Sequence, residues 1–301
     1  MPVLDLCVVT LNIGGGEKNF EEYPHDTQKS RQDSLRGLVE HLDTQILCLQ
    51  EVSQYVDADG LTHSIMDDIQ KVGHYDYSFY GPTLSMETHM QVKKDVMVRG
   101  IFSDWRDWSK GNAILSRLPF ARLSDPTQPG VPRNIPLYQP ATYEGNRDTD
   151  PRFALLTRLK KPPFPYLINL HLTTLVGERR PQSLPNKIEE AHILRNRQIG
   201  RLLDLIREHI LRKKEPVILV GDFNATREEF GIVHLLESEH DFYHLTPAGR
   251  NPSHEGLEEP IDHIFFYPKE RLVDYSCHID AGELSRRASD HLPVVATLLI
   301  K

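Results

Sequence analysis

The chain has 301 residues, 39% of them hydrophobic and 26% charged, with 35 Lys and Arg against 43 Asp and Glu, a formal net charge of −8. That balance excludes a disordered, tail-like chain and weighs against a generic nucleic-acid coat protein, which would be basic overall. No apolar run has the length of a membrane span, and Val3-Leu4-Asp5-Leu6 lacks the basic start and long apolar core of a secretory signal, so a cytoplasmic protein is the expectation. Cys7, Cys48 and Cys277 form no C-x-x-C pair, and the first two lie in apolar runs, which predicts free, buried thiols.

In chain order, short apolar runs bounded by turn residues predict strands at Leu6–Leu11, Gln45–Leu49, Ala113–Leu115, Phe153–Leu159, Tyr166–Leu170, Val217–Val220, Ile264–Tyr267 and Val294–Ile300. Their near-continuous apolar character suggests burial on both faces. Between them, Leu35, Leu38, Val39 and Leu42 fall at helical spacing. Ile188–Leu211 predicts a longer helix with an apolar stripe of Ala191, Leu194, Leu202, Leu205 and Ile206. Strands alternating with helices indicate an α/β fold. The polar motifs come from both ends of the chain, so one domain over residues 1–301 is expected.

Two stretches read as insertions that could rim a substrate site, Gly81–Lys110 with Trp105 and Trp108, and the irregular Leu123–Asp150. The two tryptophans, three apart, suggest a helical turn packed inward rather than a base-stacking platform. Pro151–Val220 carries 14 Lys and Arg against 6 Asp and Glu, including Arg179, Arg180, Arg195, Arg197 and Arg201. This is either a solvated helix face or a wall facing phosphate.

Polar clusters fall where the predicted strands end: Asn12, Gln50-Glu51, His171, Gly221-Asp222-Phe223-Asn224, Ile261-Asp262-His263 and Ser289-Asp290-His291. Alone, each reads as a turn or cap; six in this placement point to loops converging on one ligand. Asn12, Glu51, Asp222, Asn224, Asp262 and Asp290 offer oxygen ligands with no thiolate and no H-E-x-x-H, which favours Mg²⁺ or Mn²⁺ over zinc. His171 and His291 could then move protons or donate to an oxyanion. Gly14-Gly15-Gly16 matches neither G-x-G-x-x-G nor a P-loop, and no G-x-S-x-G elbow occurs.

In order, Thr10-Leu11-Asn12, Leu49-Gln50-Glu51, the segment 111–117 (GNAILSR), Asn169-Leu170-His171-Leu172, Gly221-Asp222-Phe223-Asn224, Ile261-Asp262-His263 and Ser289-Asp290-His291 resemble the endonuclease/exonuclease/phosphatase superfamily, as does Arg197-Gln198 in the long helix. The likeness spans residues 6 to 300. It implies a four-layer sandwich of two packed mixed β-sheets flanked by helices, and metal-dependent cleavage of phosphate esters. In that reading Asn12, Glu51 and Asp290 help hold Mg²⁺ (or Mn²⁺), Asp222 activates the attacking water, and Asn224 binds that water or a phosphate oxygen. His171 donates to the phosphoryl group, and His291, held by Asp262, stabilises phosphate charge or assists proton transfer.

His171 stands where abasic-site endonucleases show a Tyr-containing motif, and Ile261-Asp262-His263 where inositol-polyphosphate 5-phosphatases carry Cys-Asp-Arg. The pattern is therefore nearer the deoxyribonuclease, sphingomyelinase, deadenylase and tyrosyl-DNA phosphodiesterase branches. The implied partner is a phosphate ester, with nucleic acid as one candidate, small esters or lipid head groups as the alternative, and an inactive binding module as a third reading. A monomer is the default.

Overall fold

The computed structural model describes residues 3–16, 28–57, 59–85, 87–88, 106–179 and 184–301. Its strands are β1 (Leu4–Asn12), β2 (Ile46–Val56), β3 (Thr62–Ser64), β4 (Tyr77–Ser85), β5 (Arg106–Ser116), β6 (Phe120–Ala121), β7 (Arg133–Tyr138), β8 (Arg152–Leu159), β9 (Tyr166–His171), β10 (Val217–Asp222), β11 (Tyr243–His244), β12 (Asp262–Tyr267), β13 (Leu272–Ile279) and β14 (Val294–Ile300). They form two seven-stranded sheets. The first runs β13-β14-β1-β2-β5-β4 with β3 on β2, the second β11-β12-β10-β9-β8-β6 with β7 on β8. Among the described strands β1–β2 and β9–β10 pair in parallel and the others antiparallel, so both sheets are mixed.

Side-chain alternation along each strand builds the layers. On β1, Leu6 and Val8 point to the core between the sheets, where they join Ile46, Ile114, Leu155, Leu167, Ile218 and Ile264. Val9 and Leu11 point the other way, onto Leu35, Leu38 and Val39 of α1 (Gln28–Leu42) and Met66 and Ile69 of α2 (Ile65–Val72). The second sheet repeats this outward face: Ile168, Leu170 and Leu219 pack on Ile199, Leu202 and Ile206 of α3 (Pro185–Ile206). Strands buried on both faces explain the near-continuous apolar runs, and the result is the expected helix–sheet–sheet–helix sandwich.

Several elements differ from the sequence expectation. The long helix continues past Ile206 as a wider π turn, Arg207–Leu211. Its inner face includes Arg195 and Gln198, while Leu205 is exposed. Charge patterning hides such a face because Arg195 is neutralised by residues distant in sequence. The 81–110 stretch is not wholly irregular, since its two ends lie in β4 and β5; Trp108 lies on β5, not on a helical turn, and Trp105 falls outside the described residues, as does Arg180. Leu123–Asp150 contains β7. Cys7 is half-buried rather than buried, and all three cysteines are free thiols. Among the described residues no helix is long and apolar enough to cross a membrane.

Candidate active site

Strand register gathers the side chains. Parallel pairing sets His171 opposite Asp222, and antiparallel pairing sets Asp222 opposite Asp262, so three neighbouring strands of the second sheet end in polar residues side by side. Gly221 is required here, because a Cβ would lie 2.0 Å from the Leu170 carbonyl oxygen. On the first sheet Asn12 closes β1 beside Gln50 of β2. Buried amides bridge the sheets beneath the site: Gln50 Nε2 donates to Asn169 Oδ1 (2.7 Å), and Asn169 Nδ2 donates to the carbonyls of Leu49 (3.0 Å) and Ala113 (2.9 Å).

Glu51 corrects the strand-end reading. It lies inside β2, where Gln50 and Glu51 together oppose Asn112, between the pairs Leu49–Ala113 and Val52–Gly111. This is a β-bulge, and Glu51 takes a left-handed φ of 55°. Such a conformation costs a non-glycine residue about 1 kcal/mol, and here it re-aims a carboxylate toward the other sheet. Asn224 is likewise left-handed (φ 49°), which turns its backbone N–H onto Asp222 Oδ1 at 2.8 Å.

Asn12, Glu51, His171, Asp222, Asn224, Asp262 and His291 form a continuous contact chain, while the Asp290 side chain meets His254 and Ser289 instead. Asn12 Nδ2 donates to Asp222 Oδ2 (2.9 Å) and Glu51 Oε1 (3.2 Å). His171 Nε2 lies 3.4 Å from Asp222 Oδ2 and 4.0 Å from Glu51 Oε1. His291 Nε2 lies 3.8 Å from the same Asp222 oxygen, and its Nδ1 bonds Asp262 Oδ2 at 2.9 Å. Ser289 fixes the segment that carries Asp290 and His291: its hydroxyl donates to the Asn12 carbonyl (2.6 Å) and accepts from the His291 N–H (3.1 Å). Asp290 Oδ2 lies 3.7 Å from His254 Nε2.

Burial and neighbouring charge set the protonation states. Burial, reinforced by the Arg152 guanidinium, pushes His171 down to about 3, so its ring is neutral near pH 7. Burial also opposes the charge on Asp222, yet His291, His171, the Asn12 amide and Arg179 together hold that carboxyl below the usual range. Burial disfavours the His291 cation, but the carboxylates of Asp262 and Asp222 outweigh it and raise the imidazole; burial raises Asp262.

Several contributors escaped sequence reading. Lys110 Nζ pairs with Glu51 Oε2 at 3.0 Å. Buried Arg152 places Nη1 3.2 Å from His171 Nδ1 and 3.1 Å from Nε2 of the same ring. Arg179 Nη1 donates to Asn224 Oδ1 (2.8 Å) while Asn224 Nδ2 donates to the Leu172 carbonyl (3.1 Å). Ser253 Oγ donates to Asp262 Oδ2 at 2.7 Å. Behind the site, the Ala225 carbonyl can only accept, so His263 Nε2 carries a hydrogen (2.8 Å). His263 Nδ1 then accepts from His244 Nε2 (3.1 Å), and His244 Nδ1 from Thr246 Oγ1 (3.2 Å). The sequence shows Arg179 and His263 only as parts of the basic segment and of the Ile261-Asp262-His263 motif; no local pattern marks the others, Arg152 lying just before a predicted strand and Lys110 at the end of the 81–110 stretch. The basic segment divides: Arg197 and Arg201 are exposed, whereas Arg195 is buried against Glu178 (2.7 Å) and Glu229 (2.9 Å).

The Endonuclease/Exonuclease/phosphatase family model matches residues 9–291. The chain belongs to that family. No curated protein matches it. Among solved structures, an endonuclease/exonuclease/phosphatase from Bacteroides vulgatus aligns over 99% of this chain and 100% of its own at 16% identity and a TM-score of 0.63. One from Beutenbergia cavernae aligns over 98% and 72% at 19% identity and 0.64. TDP2 from C. elegans aligns over 98% and 75% at 17% identity and 0.55. At these identities the family member shares its fold with them.

Proposed function

We propose that the protein is a divalent-cation-dependent phosphodiester hydrolase of a nucleic-acid or nucleotide-like substrate, built as one catalytic domain over residues 1–301. The observation that carries the reading is Asp222, a buried carboxylate bonded to Asn12 and flanked by two imidazoles. Asn12, Glu51 and Asp290 supply hard oxygen donors and no thiolate, a set that fits Mg²⁺ or Mn²⁺. A cation bound there would neutralise phosphate charge and polarise a phosphate oxygen.

The chain's own groups supply the remaining chemistry. Asp222 orients a water for attack and takes its proton. Asn224, its amide locked by Arg179 and Leu172, presents its remaining Nδ2 hydrogen to that water or to a phosphate oxygen. The Asp222 carboxylate facing Nε2 of neutral His171 favours the hydrogen there, so Nε2 donates to the phosphoryl group and Nδ1 accepts from Arg152. Asp262 holds the Nδ1–H of His291, so the cationic ring stabilises negative charge on the phosphate. The cations Lys110, Arg152 and Arg179 give a cleft within a net-negative chain a local attraction for phosphate. Three free thiols are consistent with a cytoplasmic setting.

A phosphatase or phospholipase-type activity on small esters or lipid head groups is the second reading, favoured by the net charge of −8, which repels a long polyanion from most of the surface. The deciding experiment is a panel of single- and double-stranded DNA, RNA, nucleotides, phosphoinositides and sphingomyelin with Mg²⁺ and Mn²⁺, using His291→Ala as the blank. Cleavage of internal phosphodiesters with binding that weakens steeply in salt supports the first reading. Release of inorganic phosphate, or of a phosphorylated lipid head group, with a flat salt response replaces it with the second.

A further inference from the structure

We propose that His254 is a nitrogen ligand of the divalent cation held at Asp290, which tilts the site toward Mn²⁺ over Mg²⁺; this rests on the assignment of Asp290 as a metal ligand made above. His254 lies in the loop before β12, and the backbone fixes it against the Ser289–His291 segment. The Leu292 N–H donates to the Ser253 carbonyl (2.8 Å), the Glu255 N–H donates to the Asp290 carbonyl (2.7 Å), and His254 forms an isolated antiparallel bridge with His291. The ring is steadied as well: it meets His291 edge-on, with centroids 4.5 Å apart and planes at 81°.

The orientation of the ring selects the ligand atom. His254 Nδ1 is in hydrogen-bond contact with the Glu255 carbonyl oxygen, which can only accept, so Nδ1 carries the hydrogen. The other ring nitrogen, Nε2, faces Asp290 Oδ2 at 3.7 Å, and in the neutral ring it is the atom that would take a cation. A backbone carbonyl on one imidazole nitrogen and a ligand position on the other is the usual support for a metal-binding histidine.

The spacing suits a shared ion. Two donors each about 2.1 Å from one metal lie about 3 Å apart when cis and about 4.2 Å when trans, and 3.7 Å falls between. Ligand atoms of His254, Asp290 and His291 all lie within 4.8 Å of one another. Mg²⁺ prefers oxygen and water, so an added imidazole favours a first-row ion such as Mn²⁺.

The test is Mn²⁺ binding to the full-length protein without substrate, read by calorimetry and by electron spin echo modulation of the bound ion. The expected result is a ¹⁴N modulation that shifts when the protein is labelled with ¹⁵N-histidine, persists in His291→Gln, and is lost in His254→Gln. Mn²⁺ affinity in His254→Gln should fall about tenfold, with Mg²⁺ affinity changed less than about threefold. Bound Mn²⁺ with no histidine-dependent modulation, or a modulation unchanged in His254→Gln, overturns the ligand role of His254 alone. Equal Mn²⁺ binding by the wild type and Asp290→Asn overturns the assignment of Asp290 as well. If that variant does not fold, His254→Asn replaces it, and the absence of a ¹⁵N-histidine effect in the unmodified protein by itself overturns the proposal.

Discussion

Asn12 and Asp222 are 210 positions apart in the chain and belong to different sheets, yet the Asn12 amide donates to the Asp222 carboxylate at 2.9 Å. Both side chains are about 1% exposed. This contact, with the Gln50–Asn169 bridge beneath it, is where packing of the sheets and assembly of the site become one event. Asn12→Ala leaves a buried carboxylate short of one donor, a loss of about 1–3 kcal/mol. Denaturant unfolding of the cation-free protein should show that loss, and turnover on bis-p-nitrophenyl phosphate should fall at least tenfold.

If Asp222 handles the water, its role is separable from its place in the fold. Asp222→Asn keeps the shape and one oxygen to accept from Asn12, at the expense of the contact with the Asn224 N–H, and it cannot take a proton. Turnover should drop by about 10²-fold or more with little change in KM. A KM effect alone, with turnover preserved, would move water activation to another group.

Arg195 is the buried centre of a charge cluster on α3. It bonds Glu229 through Nε (3.0 Å) and Nη2 (2.9 Å), pairs with Glu178, and donates to the Thr173 carbonyl (3.0 Å). Glu178 in turn accepts from the Leu175 N–H (3.0 Å), tying down the loop after β9 that carries Arg179. Arg195→Ala strands two carboxylates, and a destabilisation of about 3–5 kcal/mol is expected. Arg195→Ala combined with Glu229→Gln should recover part of it, which a double-mutant cycle in urea can measure.

The His244–His263 pair makes the fold acid-sensitive in a defined window. Burial keeps His263 down to about 4 and His244 down to about 2, whereas both rings in the unfolded chain take up a proton near pH ~6.5. Below that pH the unfolded chain binds more protons than the folded one, so stability is lost as pH falls from about 6.5 toward 4. Each ring contributes a slope of about 1.4 kcal/mol per pH unit. In His244→Phe the slope between pH 6 and 5 should fall by roughly the share of one ring, whatever the variant's stability at pH 8.

Most of the framework was legible because strands buried on both faces write themselves as apolar runs: Leu6–Leu11 gains two residues before and one after in β1, and Val217–Val220 gains two at its C-terminal end in β10. The site residues were legible where a polar side chain interrupts such a run, as at Asn12, His171 and Asp222. Glu51 was found but misplaced, since a bulge is a property of two strands in register and leaves no local signal. Lys110 and Arg152 were illegible as site groups because a long cationic side chain reaches its partner across the fold, and Arg179 was legible only as one cation of a basic segment with two open readings. Leu205 and Arg195 show the same limit on a helix: period alone assigned the leucine inward, but buried acids drew the arginine there instead.

The account turns on a bound cation acting with Asp222 on a phosphodiester, and the most direct measurement is hydrolysis of bis-p-nitrophenyl phosphate by the purified protein before and after EDTA. Activity that disappears with EDTA and returns with added Mg²⁺ or Mn²⁺, while Asp222→Asn stays inactive throughout, is the predicted result. Hydrolysis that continues undiminished in EDTA would contradict it.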